Sequence, residues 1–94
     1  MDKLEQLGNI VMAALAKARE LGKFPLDNRA NERRAILMKL LQKHSKNMKQ
    51  LADAAEQDGF LNQATVNAAL DRAIAAAEVI DKELEELLAQ AKKR

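Results

Sequence analysis

From Val66 to Ala91 apolar residues return at Leu70, Ala73, Ala77, Ile80, Leu84 and Leu87, alternating steps of four and three without an error. No other feature of this chain restricts its fold as strongly. The mean step is close to 3.6 residues, so these side chains line one side of an α-helix, whereas a half-buried strand needs every second position. The spacing predicts a helix over about 62–92, with Asn62 as its N-cap and Lys92, Lys93 and Arg94 suited to the negative end of its dipole. A helix that is apolar along one stripe must bury it, so the rest of the chain has to supply covering helices.

Leu4, Leu7, Val11, Ala14, Ala18 and Leu21 repeat the same pattern and predict a first helix over about 3–21, which Asp2 can cap. Gly22 offers a C-cap, and Pro25 in "GKFPLDN" forbids continuation. Asp27 or Asn28 then serves as a new N-cap, and Gly59 ends the middle segment. The two-residue alternation of a strand occurs nowhere. The expected fold is all-α: one domain, 1–94, forming an antiparallel bundle of three long helices at about 3–21, 28–58 and 62–92.

The middle segment is less regular, because "KHSKN" interrupts its apolar residues. Advancing about 100° per residue places Ile36, Leu37, Leu40, Leu41, Met48, Leu51 and Ala55 on one broad arc on both sides of that stretch. His44 falls near the middle of the arc, and Lys39, Lys43, Lys46 and Lys49 fall opposite. Preserved phase argues for a continuous helix. The alternative is a break near 44–47 that yields a fourth helix, since Asn47 followed by Gln50 is a capping box. Leu37, Leu40, Met48, Leu51, Leu70, Ile80 and Leu84 are the expected core, with Ala73 and Ala77 where helices approach most closely.

His44 is the only histidine and Ser45 the only serine, which makes this stretch the natural place to look for chemistry. Adjacent helical residues point about 100° apart and do not face each other, so the two form no nucleophile–base pair. A metal site lacks a second histidine, any cysteine, and a glutamate three residues before His44. "HSKN" is only faintly similar to the phosphate-accepting stretch of histidine phosphotransfer domains, without its leucine and glycine. The three glycines are too dispersed for a phosphate loop. A packed histidine is expected, with no cofactor and no metal; His44 remains the one weak ligand candidate, for a catalytic or small-molecule-binding bundle.

Charge is unevenly distributed. Residues 1–50 carry eleven Lys or Arg against five Asp or Glu, and residues 51–94 carry five against nine. Side-by-side packing of complementary halves explains this most simply; the alternative is a basic 29–49 helix that meets nucleic acid or an acidic partner. With Phe24 and Phe60 as the only aromatics, no base-stacking platform is present and nucleic acid is not expected. No apolar run approaches the roughly 20 residues of a membrane span, and no signal-peptide pattern opens the chain. A soluble, cytoplasmic, cysteine-free protein is expected.

Ala18-Arg19, "ERRAIL" at Glu32 to Leu37, Leu51-Ala52 and Gly59, in that order, resemble the N-terminal helical segment of the aldehyde dehydrogenase superfamily over residues 13 to 80. That resemblance implies a helical scaffold alone, since neither the cysteine nucleophile nor a nicotinamide-binding sheet is present. The tail "IDKELEELLAQAKKR" resembles an idealised, designed helix. The expected role is a non-enzymatic interaction or scaffold module that binds a protein partner or a second copy through an apolar helix face. Because the first helix is shorter than the other two, the end near 40–48 and 80–91 is expected to stay open, with Ile80, Leu84, Leu87 and Leu88 as the interface.

Overall fold

A computed structural model describes residues 3–58 and 63–93. Three helices account for nearly all of them: α1 Lys3–Leu21, α2 Asn28–Asp58 and α3 Gln63–Lys92. They form the expected all-α bundle, a rod 52 × 21 × 16 Å. The expected caps Asp2 and Asn62, the helix-ending Gly59 and the side chain of Ala55 lie outside the described residues.

α2 is continuous through "KHSKN", so the break near 44–47 does not occur. Its start is set by Asp27, whose Oδ1 accepts the Ala30 backbone N–H at 2.8 Å. The end of α1 uses a different device. Arg34 reaches back from α2 and donates through Nε to the carbonyl oxygen of Ala18 at 2.8 Å, so a cation satisfies one of the last carbonyls of α1. A Cβ at Gly22 would stand 2.6 Å from Arg34 Nη2. A side chain at residue 22 would therefore displace the Arg34 guanidinium, and the φ of Gly22 lies outside the left-handed region that its expected role as a C-cap would use.

The core is a single cluster running along the axis of the rod. Leu7, Val11, Ala14, Ala18 and Leu21 of α1 meet Leu37 and Leu41 of α2 and Leu70, Ile74, Ala77, Ile80, Leu84 and Leu88 of α3. Ala14, Ala18 and Ala77 are fully buried, and their small side chains let α1 and α3 approach closely. Phe24 and Leu26 pack on this cluster and anchor the turn between α1 and α2.

Two expectations about the core need correction. Leu40 is 39% exposed and Ile36 48% exposed, while Leu41 is fully buried and Met48 and Leu51 are half-buried. The buried sector of α2 is narrower than the apolar arc: it is centred between Leu37 and Leu41, and Leu40 and Ile36 rotate roughly 60° and 100° away from Leu37 toward α3. Ile80, Leu84 and Leu88 are buried, and Leu87 is half-buried, so these four do not form an open apolar end. The short link of residues 22–27 obliges α1 to run back along α2 from its start, as far as about Ala52, and the facing part of α3 runs from about Asp71 to Lys92. Ion pairs mark that register, with Lys3 beside Asp71, Lys17 beside Asp81 and Glu20 beside Lys92. α1 thus runs parallel to α3 and covers the end expected to be open, leaving the α2–α3 tip to project beyond it.

Candidate functional site

The ion pairs separate the cations of the first half into two groups. Lys3, Lys17 and Arg33 each meet an acid of α3: Asp71 at 2.9 Å, Asp81 at 2.9 Å, and Glu83 through paired hydrogen bonds from Nε and Nη2. Lys17 and Asp81 are the most shielded of these pairs, with about a quarter of each side chain exposed. The guanidinium of Arg33 holds the Glu83 carboxyl below its ordinary range, chiefly through those hydrogen bonds. Complementary halves therefore explain part of the charge pattern. Lys39, Lys43, Lys46 and Lys49 are not part of it: all four are exposed, and none makes an ion pair with a described residue.

His44 lies half-buried on the side of α2 that faces α3, its Nδ1 out of water and without a hydrogen-bond partner. Burial, and secondarily the charge of Lys43, push its pKa below the ordinary histidine value. Ser45 opens on the other side of α2, into a shallow hollow shared with Leu4, Gly8 and Met48 of the α1 contact. The two side chains that would make a nucleophile and its base thus line different grooves, as helical geometry requires. Among the described residues no three His, Cys, Asp or Glu side chains converge as metal ligands would.

Two hollows lie along the groove between α2 and α3. One hollow of about 520 Å³ is lined by Asp27, Arg29, Ala30, Glu32, Arg33, Ile36, Leu87 and Gln90. A second, of about 550 Å³, lies further along and is lined by His44, Asn47, Gln50, Leu51, Ala69, Arg72 and Ala73. Ile36 and Leu40, one turn apart on the α2 wall, carry the apolar surface from the first hollow to the second. From Ala69 to Leu87 the α3 wall measures about 27 Å.

Of the residues expected to form an interface, only Leu87 reaches this groove, and His44 lines its second hollow. Ile36, Leu40 and Arg72 were not expected there. Their signal is the pair of doublets Ile36-Leu37 and Leu40-Leu41: residues 100° apart cannot both point to the axis of a narrow bundle, so one of each doublet must line a flank. No described helix is long and apolar enough to cross a membrane. No family model matches this chain, and neither a curated protein nor a solved structure is significantly similar to it.

Proposed function

We propose that this protein is a non-enzymatic interaction module that receives one amphipathic helix of a partner protein in the α2–α3 groove. The observation that carries the reading is the exposure of Ile36 and Leu40, side by side between two hollows, on a bundle whose other apolar stripes are turned inward. A ridge of aliphatic side chains flanked by concavities fits the apolar stripe of a fourth helix, which packs as i, i+3, i+4 and i+7 anchors. Met12 and Val79 are as exposed, but each stands singly on the outer face of its helix, and isolated surface apolar residues need no partner.

A second copy of the chain is the less suitable occupant. A two-fold pairing whose axis runs along the groove would set the Arg72 of one copy against that of the other. The resemblance to aldehyde dehydrogenases enters this reading as a scaffold without an activity.

The test is calorimetric titration with an electrically neutral amphipathic peptide of about 18 residues, long enough to span the groove. Binding to the wild type that is lost in Leu40→Asp, and retained in a Val79→Asp control, supports the reading. Equal binding to all three proteins rejects it.

A further inference from the structure

The apolar strip indicates a helix, and the charges at its two ends indicate what kind. Near residue 30 the lip of the groove carries Asp27, Arg29 and Glu32, and Arg33 is bound to Glu83, so acids exceed bases there by one. Among the described residues no carboxylate lines the second hollow. Arg72 stands exposed on the α3 wall and makes no ion pair with a described residue. Lys43, exposed on α2 next to His44, lies outside the lining of the hollow but adds positive charge beside it. Asn47 and Gln50 add side-chain amides to the same hollow. The Arg72 guanidinium at the edge of this hollow complements a carboxylate, which it can bind through two hydrogen bonds.

Resting on the docking reading above, we propose that the received helix is acidic at one end: at least one Asp or Glu lies over Arg72 and within reach of Lys43, while its apolar stripe covers Leu40 and Ile36. The lip near Asp27 and Arg29, with one acid in excess, makes no such demand on the other end, so charge fixes the register of the bound helix as well as its identity. A nucleic-acid strand fits less well. Among the described residues no Phe, Tyr or Trp lines either hollow, the half-buried His44 is the one ring there, and Lys39 and Lys46 are exposed on α2 outside both hollows.

Three peptides with one apolar stripe test this against the intact protein: one with two glutamates at one end, one with glutamines there, and one with lysines. A short DNA duplex serves as a fourth ligand. The acidic peptide is expected to bind about 10-fold or more tightly than the glutamine peptide, to lose most of that advantage in Arg72→Glu, and to keep it in Lys39→Glu. Both substitutions replace an exposed helical cation by a good helix former, so folding is preserved and circular dichroism checks it. If all three peptides bind alike and Leu40→Asp abolishes each, the groove remains a helix site but its acidic selectivity is overturned. If no peptide binds, the docking reading fails and this inference with it. Displacement of the acidic peptide by the duplex would overturn the inference in favour of general polyanion binding.

Discussion

Arg34 of α2 donates through Nε to the carbonyl oxygen of Ala18, 2.8 Å away, across the turn that leaves α1, and its guanidinium fills the space that a Cβ at Gly22 would need. The same carbonyl accepts the backbone N–H of Gly22 at 3.2 Å, so the arginine adds to the last helical hydrogen bond and does not replace it. Three residues from two helices and their connection thus act as one clasp, and it fixes where α2 begins relative to α1.

The clasp predicts coupled mutations. Arg34→Met keeps the apolar stem and removes the donor, at an expected cost of about 1–2 kcal/mol. Gly22→Ala alone sets the loss of chain entropy in the unfolded state, worth about 0.4–1 kcal/mol, against displacement of the guanidinium. In the Arg34→Met background only the 3.3 Å approach to the Arg19 carbonyl oxygen remains, so Gly22→Ala costs less than in the wild type. A double-mutant cycle by urea denaturation measures this, with an expected coupling on the order of 1 kcal/mol. Additive effects would show that the close approach is of no energetic consequence.

Adjacent leucines on α2 provide the sharpest check on the core. Leu41→Ala empties a fully buried site and is expected to cost about 2–5 kcal/mol. Leu40→Ala shortens a side chain that is already 39% exposed, and is expected to cost less than about 1 kcal/mol. Equal losses in thermal or urea unfolding would mean that α2 is rotated from the orientation described.

The helix register of this protein is legible in its sequence wherever a punctuating residue and an apolar stripe agree. Pro25 and the stripe from Leu4 to Leu21 place the end of α1, and the phase kept between Leu37 and Leu51 carries α2 through its polar stretch. Rotation of α2 about its own axis is not legible, since an arc holding both Leu40 and Leu41 has no internal mark of its centre. That centre is set by the positions of two neighbouring helices. The direction of the open end follows from the six residues 22–27, which are too few to let α1 do other than run back along α2 from its N-terminal end. The groove itself depends on tertiary geometry, and only the apolar doublets hint at it.

His44 gives stability a specific pH dependence. Its folded pKa is below the ordinary value of 6.5, mainly because burial disfavours the charged ring. As pH falls through that value the unfolded chain takes up a proton before the folded protein does, so stability is full above it and declines as the pH drops further. His44→Gln removes this contribution. Unfolding midpoints compared at pH 7.5 and pH 5 should fall more for the wild type than for the variant. Equal declines would place the ring in contact with water.

The central claim is that Ile36 and Leu40 form the wall of a docking groove, and methyl-resolved NMR tests it most directly. With Ile, Leu, Val and Met methyls labelled, the acidic amphipathic peptide is titrated into the intact protein. Shifts are predicted at Ile36, Leu40 and Leu87, with Met12 and Val79, which are more open to water, left unmoved. Shifts centred on Met12 or Val79, or spread evenly over all exposed methyls, would contradict it.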